Sequence, residues 1–404
     1  MDFNDKLDRL ADLAVGFGLG LKPGQELVMT ADIGARDLAA RITRAAYTAG
    51  ATNVLTLFSD DASVLARYTH GSAAALDSAP GWLFDAIAGA FRAGAARLAI
   101  AGDTPGLLAG QDPAKVARAN AAGAKARKPM LDAIVSGEVN WNIVPFVTEG
   151  WARQVYPDRP AEEAVETLWT HVFAALRLDS DDPVAAWREN FAELARRRDL
   201  LNAARYDALH FEGHGTDLTV GLAKGHAWVG GGNTLPDGTA YAPNLPTEEV
   251  FTMPDRARTE GRAVFTKPAV IGGTIVEGLV VEFQGGKAVK IEADKGADVA
   301  RNYFATDDGA SHLGEVALVD ESSPIARSGV LYFNTLFDEN AACHIAFGNA
   351  YAMNLSQGAD PAEAGMNESQ IHHDCMIGGP EIAVTGIKAD GSRHPIMSKG
   401  QFVI

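Results

Sequence analysis

The spacing of apolar residues changes along the chain, and this change limits the fold more than any other feature. In about the first hundred residues, stretches with helical spacing alternate with short, partly β-branched stretches typical of buried strands. The helical stretches are 3–17, 35–49 (closed by Gly50) and 82–92, and the strand-like stretches are 26–30, 52–58 and 97–101. Strands separated by helices predict a parallel sheet covered on both faces.

After Tyr206 the pattern changes for the rest of the chain. Residues 112–205 are mostly helical in pattern, with one strand expected at 139–147, whereas short alternating segments separated by glycine-rich turns follow Tyr206. Such segments predict antiparallel hairpins. The expected fold class is α/β plus α+β, with an N-terminal parallel-sheet α/β domain at 1–110 and a larger, strand-rich α+β domain at 111–404. The boundary is expected between about 105 and 205.

Charge and cysteine content limit the partners and the location of the protein. Acidic residues outnumber basic ones by 52 to 35, which gives a formal net charge of −17. Such a surface repels phosphate backbones and anionic headgroups, so neither nucleic acid nor membrane is expected as a partner. The N-terminus lacks the pattern of a signal peptide, and no apolar run reaches the roughly 18–20 residues of a membrane span. With only two cysteines, the sequence indicates a cytoplasmic protein.

Histidines and carboxylates in the C-terminal stretch form the first candidate site. His372 and Asp374 lie two residues apart on an expected strand, so their side chains point to the same face. An imidazole and a carboxylate among apolar neighbours are costly to bury without a cation or another partner. Nitrogen and oxygen ligands together suit zinc, cobalt or manganese better than calcium. His373 then faces the other way and is expected to be structural.

Three further residues extend this candidate site. Glu249, Glu315 and His344 lie in short strand-like segments, although each alone is as well explained as a strand-edge carboxylate or a hydrogen-bonded core histidine. Together with His372 and Asp374 they make five ligands, of which three are anionic, whereas one zinc needs only three or four. Five such ligands fit two metals about 3.5–4 Å apart, bridged by a carboxylate and a water that becomes a nucleophile. The pattern therefore predicts a dinuclear hydrolase.

At these segments the sequence resembles the thermophilic metalloaminopeptidases, the leucyl aminopeptidase T and PepS group, and the resemblance is collinear over essentially the whole chain. The matching motifs are Thr247-Glu248-Glu249-Val250, Gly314-Glu315-Val316, Cys343-His344-Ile345-Ala346 and His372-His373-Asp374. The resemblance implies a homodimer with an enclosed active site and the metal ligands Glu249, Glu315, His344, His372 and Asp374. It also implies an active-site tyrosine at Tyr351, with Glu248 as a neighbour of the ligand Glu249.

Individual roles follow from the chemistry of these residues beside that resemblance. Glu315 is the candidate for the bridging carboxylate, and Tyr351 can donate to the oxyanion as the tetrahedral intermediate forms. Glu339, five residues before His344, is expected as an additional ligand or as the acid–base group that moves a proton to the leaving amine. A capping or supporting role for Glu339 is equally open. Cys343 and Cys375 are expected to pack behind the metal-bearing strands.

These observations predict a cytoplasmic metal-dependent aminopeptidase that acts on peptide substrates. It is expected to release N-terminal amino acids through a dinuclear metal-bound hydroxide, with two divalent metal ions drawn from zinc, cobalt, manganese or magnesium. Two alternatives remain open at this point. One is a dinuclear amidohydrolase or deacylase of small amides, and the other is a non-catalytic, metal-stabilised binding protein.

Overall fold

The computed structural model describes residues 1–135, 137–271 and 274–404. Its helices are α1 (Phe3–Leu13), α2 (Arg36–Thr48), α3 (Asp61–His70), α4 (Ala73–Leu76), α5 (Gly81–Arg92), α6 (Pro113–Val135), α7 (Glu149–Val155), α8 (Ala161–Ala175), α9 (Pro183–Ala204), α10 (Ala297–Tyr303), α11 (Pro324–Ser328) and α12 (Thr335–Asp338). Within these described ranges, no helix combines the length and the apolar character needed to cross a membrane.

The strands of the N-terminal part are β1 (Glu26–Asp32), β2 (Asn53–Ser59), β3 (Ala96–Ala101) and β4 (Trp141–Pro145). Those that follow α9 are β5 (Ala208–Gly213), β6 (Thr216–Leu222), β7 (Asn233–Thr234), β8 (Ala240–Tyr241), β9 (Glu249–Thr252), β10 (Pro254–Val264), β11 (Ala269–Ile271), β12 (Thr274–Val276), β13 (Val280–Gln284) and β14 (Lys287–Glu292). The last are β15 (Leu313–Val319), β16 (His344–Gly348), β17 (His372–Met376), β18 (Ala383–Ile387), β19 (Arg393–Ser398) and β20 (Gln401–Phe402).

The chain forms two compact units. Unit 1 comprises Met1–Trp187 and Gly232–Pro246, and unit 2 comprises Arg188–Gly231 and Thr247–Ile404. The division into domains at 1–110 and 111–404 that the sequence suggests stays a prediction.

Unit 1 contains the parallel sheet that the alternating pattern predicts. The strand order is β2-β1-β3-β4, and every neighbouring pair is parallel. Val28 of β1 packs with Ile87 and Phe91 of α5 in one buried cluster, which fixes this helix against the sheet. The helical stretch expected at 3–17 is present as α1 and a wide π-turn at Ala14–Gly18 that continues it. Glycines at 16, 18 and 20, which have low helix propensity, lie where this helical stretch ends.

Unit 2 contains the antiparallel hairpins expected after Tyr206. The larger sheet has the order β14-β13-β10-β6-β5-β18-β19-β20, and the paired strands run antiparallel. A second antiparallel sheet, here called the site sheet, has the order β17-β16-β15-β9. The expectation of an α/β part followed by an α+β part is therefore confirmed.

Candidate metal centre

The site sheet presents two chemically different faces because side chains alternate along each strand. Residues on one face join the main apolar core of unit 2: Val316, Leu318, Ile345, Phe347 and Cys375. The opposite face carries the predicted ligands. The registers show why the ligands share that face: Ala346 of β16 lies opposite both Glu315 of β15 and Asp374 of β17.

The remaining ligands follow from the same registers. His344 begins β16 and lies two residues from Ala346, while His372 of β17 lies opposite Gly348. Glu249 begins β9 and lies opposite Val319, which shares the face of Glu315 by the alternation along β15. The structure thus brings Glu249, Glu315, His344, His372 and Asp374 onto one face of one sheet.

The five side chains form two overlapping groups that share Glu315. Glu249, Glu315 and His344 make one group, and Glu315, His372 and Asp374 make the other; within each group, the possible ligand atoms lie within 4.8 Å of one another. Oε1 of Glu315 lies 3.4 Å from Nε2 of His344, and Oε2 lies 3.9 Å from Nε2 of His372. The two oxygens of Glu315 therefore face two different imidazoles.

Both imidazoles are oriented by backbone carbonyls outside the cluster. Nδ1 of His372 lies 2.7 Å from the carbonyl oxygen of Asn349, and Nδ1 of His344 lies 3.3 Å from that of Ala342. A carbonyl can only accept, so the proton of each neutral ring is on Nδ1. The Nε2 lone pairs then point into the cluster, which is the arrangement that a metal-binding histidine needs.

The carboxylates of the cluster are buried, and some of their oxygens lack a hydrogen-bond donor among the described residues. Oε2 of Glu249 and Oδ1 of Asp374 are buried and receive no hydrogen bond of good geometry from the described residues. The side chain of Glu315 is 7% exposed and that of Asp374 is 9% exposed. Three such carboxylates with two imidazoles form a donor set of nitrogen and oxygen suited to a divalent cation, and a cation compensates their buried charge.

Without a cation, protons provide part of this compensation. Burial opposes charging of His372, but the adjacent Asp374 carboxylate raises the pKa of the imidazole to about 9. Burial likewise opposes charging of Asp374, yet His372 lowers the pKa of its carboxyl to about 2. The pKa of His344 also rises well above its usual value, because Glu249 and Glu315 outweigh its burial. The cluster is therefore built to hold positive charge.

Glu339 and Tyr351 lie close enough to the cluster to interact with its residues. Burial raises the pKa of Glu339 well above its usual value, and the charges of Glu249 and Asp374 raise it further. The Tyr351 ring lies 4.7 Å from the His372 ring between centroids. Burial and the charge of Glu315 raise the pKa of the Tyr351 phenol, so it stays protonated and able to donate at neutral pH.

Several residues that neighbour the ligands in the sequence belong to neither ligand group among the described residues. His373 points away from the ligands and packs edge-on against Tyr303, with 5.6 Å between ring centroids. Cys343 and Cys375 are free, buried thiols. The strand pattern leaves two placements open for Glu248, at the surface or beside the site, and its exposure of only 5% fits the second. Its backbone N–H donates to Oδ1 of Asn340 at 2.6 Å.

Two supporting residues were not identified from the sequence. Asn340 is fully buried and hydrogen-bonds both to Glu339 and to the backbone next to Glu249. Asn349 orients His372 through its carbonyl, a contact that carries no side-chain signature. For Asn340 a signal did exist, because it belongs to the conspicuously polar segment Asp338-Glu339-Asn340.

A buried cluster of carboxylates and imidazoles on one face of an antiparallel sheet, with an acid and a phenol beside it, defines a metal-dependent hydrolase. The family of thermophilic metalloproteases (M29) matches residues 3–402 of the chain. The chain belongs to this family, and the predicted resemblance is confirmed.

Individual relatives agree with this assignment over their full lengths. Aminopeptidase T of Thermus thermophilus is 48% identical over 406 residues, which cover 100% of this chain and 99% of that protein. Aminopeptidase AmpS of Bacillus subtilis is 38% identical over 405 residues, covering 99% of each. The solved structure of wild-type AmpT from Thermus thermophilus superimposes with a TM-score of 0.96 at 47% identity, with 100% of both chains covered.

Proposed function

We propose that this chain removes N-terminal residues from peptides at a centre of two divalent cations held by Glu249, Glu315, His344, His372 and Asp374. The chain is a metal-dependent aminopeptidase, which the full-length similarity to named aminopeptidases of the M29 family supports. One observation carries the two-cation proposal: each oxygen of Glu315 faces a different imidazole. A carboxylate in this position suits the bridging role between two cations.

The five ligands divide evenly between the two proposed cations, three to each, because Glu315 belongs to both groups. Glu249 and His344 would complete one coordination sphere, and His372 and Asp374 would complete the other, with Glu315 common to both. When bound, the cations supply Lewis acidity that activates water and polarises the carbonyl of the first peptide bond. The native cation is proposed to be zinc, cobalt, manganese or magnesium, since mixed nitrogen and oxygen ligands accept all four.

Glu339 and Tyr351 supply the remaining chemistry. The raised pKa of Glu339 allows its carboxyl to carry a proton to the leaving amine, as a general acid requires. Glu339 belongs to neither ligand group among the described residues, which favours proton transfer over cation binding for this side chain. The Tyr351 hydroxyl donates to the oxygen that develops from the peptide carbonyl, because its own proton is retained at neutral pH.

The setting of the enzyme is also part of this proposal. Peptides are the proposed substrates, and a homodimer that encloses the active site would restrict cleavage to chain ends. A cytoplasmic location is supported by the two free, buried thiols of Cys343 and Cys375. Light scattering of the purified chain tests the dimer, since a monomeric mass at micromolar concentration contradicts it.

A substrate panel tests the activity. Leucine p-nitroanilide and leucyl peptides carry a free α-amine, whereas N-acetyl-leucine p-nitroanilide does not. We expect cleavage of the free-amine substrates after cation addition, and loss of that cleavage in Glu315→Gln. Cleavage of the acetylated substrate alone would instead identify a deacylase. If neither kind is cleaved and Glu315→Gln changes only the thermal stability, the protein is a metal-stabilised binding protein.

A further inference from the structure

Asn340 connects two parts of the candidate site through one buried amide. Its Oδ1 accepts a hydrogen bond of 2.6 Å from the backbone N–H of Glu248, the residue directly before Glu249. Its Nδ2 donates to the carbonyl oxygen of Leu336 at 2.9 Å and to Oε1 of Glu339 at 3.4 Å. The residue is 0% exposed, so water does not replace these partners.

We propose that Asn340 is a positioning residue that holds the Glu339 carboxyl toward the cluster and fixes the start of β9, where Glu249 lies. This inference rests on the proposed roles of Glu339 as proton donor and Glu249 as ligand. Asparagine suits the position because one end of its side chain only accepts and the other only donates. Aspartate keeps the acceptor for Glu248 but sets a second oxygen against the Leu336 carbonyl and the Glu339 carboxyl.

The backbone around Asn340 is held independently of its side chain. The Asp338 carboxylate accepts hydrogen bonds from the backbone N–H groups of Tyr332 and Asn334, at 2.9 and 3.0 Å. The hydroxyl of Ser323 donates to the carbonyl oxygen of Asn340 at 3.3 Å. Removal of the Asn340 amide therefore leaves the segment anchored while it frees Glu339 and the first residues of β9.

A double-mutant cycle with Glu339 tests the first connection. We expect kcat on leucine p-nitroanilide to fall about 10–100-fold in Asn340→Ala, the range typical of residues that orient a metal site. If Asn340 acts through Glu339, Asn340→Ala/Glu339→Gln has a kcat within about threefold of Glu339→Gln alone, because residues that act as a unit are not additive. If the fold-losses in kcat of the two single variants instead multiply in the double variant, the inference is overturned. An unchanged kcat in Asn340→Ala would also overturn it.

Cobalt affinity tests the second connection without reference to turnover. Isothermal titration calorimetry of metal-free protein with Co²⁺ is expected to show about 10-fold weaker binding in Asn340→Ala than in the parent. Asn340→Asp, which keeps the acceptor for Glu248, is expected to retain most of the Co²⁺ affinity while it loses kcat. Asn340→Asp also provides the test if Asn340→Ala does not fold. If Asn340→Ala and Asn340→Asp lose Co²⁺ affinity equally, the hydrogen bond to Glu248 does not act separately from the one to Glu339, which contradicts the inference.

Asn142 provides a matched control. It is a fully buried asparagine of unit 1 whose Nδ2 donates to the carbonyl oxygen of Ala242 at 2.6 Å. Asn142→Ala is expected to lower the unfolding temperature but to leave kcat and Co²⁺ affinity unchanged. If the parent cleaves no peptide, the proposed function fails, and the Co²⁺ titration decides the inference alone. If Glu339→Gln keeps full kcat, the role of Glu339 fails, and this inference is overturned with it.

Discussion

Nε2 of His372 lies 3.5 Å from Oδ1 of Asp374, on the same face of β17. This pairing raises the pKa of the imidazole to about 9, so a cation must displace a proton from His372 at neutral pH. Because a proton on His372 competes with the cation, cation affinity is expected to rise as the pH increases toward about 9. Above that pH the imidazole is already neutral, so cation binding releases fewer protons. Titration calorimetry in two buffers of different ionisation enthalpy measures the number of protons released on cation binding. A cation affinity that stays constant between pH 6.5 and 8.5 would contradict this prediction.

Glu315→Gln removes the negative charge of this side chain but keeps its size and shape. Burial raises the pKa of Glu315, so removal of its charge is expected to leave the cation-free protein equally or more heat-stable. Cations should no longer raise the unfolding temperature of the variant, because ligand binding stabilises only the state that binds. Activity is expected to fall at least about 100-fold.

Glu282→Gln is the control for this substitution. Glu282 lies on β13 and pairs at the surface with Lys290 at 3.3 Å. Its replacement is expected to change neither activity nor the stabilisation by cations. If Glu315→Gln behaves like Glu282→Gln, Glu315 does not bind cations.

Tyr351→Phe removes only the proposed donor to the developing oxyanion. Loss of one such donor typically reduces kcat about 100–1000-fold, and we expect a fall in this range with KM within about threefold. Cation affinity should be unchanged, since the phenol is not among the proposed ligands. The control is Tyr206→Phe, a tyrosine of unit 2 that is only 6% exposed. Equal kcat values for the two variants would remove Tyr351 from the mechanism.

Cys375→Ala tests the division between the two faces of the site sheet. Cys375 follows Asp374 on β17 but is 0% exposed in the apolar core, where burial raises the pKa of its thiol. The variant is expected to lose about 1 kcal/mol of unfolding free energy from reduced packing. It should keep the cation content of the parent, and the loss of a bound cation would show that the thiol contributes to the site.

The local part of the site could be predicted from the sequence. A strand period of two places His372 and Asp374 together and turns His373 away, and the structure has this arrangement. The parallel sheet of unit 1 and the hairpins of unit 2 follow from apolar spacing in the same way. The helical stretch expected at 3–17 matches α1 and the π-turn that continues it, although apolar spacing does not indicate that the last turn is widened.

The non-local part of the site depends on strand order and register. The pairing of Ala346 with both Glu315 and Asp374 joins residues from three separate segments, and no periodicity along the chain contains it. Convergence of the five residues therefore follows from the number of candidate ligands and from the family resemblance, not from spacing along the chain. The buried hydrogen bonds of Asn340 follow from neither, since they depend on the contact between the segment before β16 and the backbone of Glu248.

Five residues of the site sheet are proposed to hold two divalent cations that aminopeptidase activity requires. The most direct test removes all metal with a chelator, restores Co²⁺ or Zn²⁺ in steps, and records bound metal per chain together with leucine p-nitroanilide cleavage. We expect no activity without metal and full activity at two bound ions per chain. Full activity in the metal-free protein, or saturation of binding at one ion per chain, would contradict it.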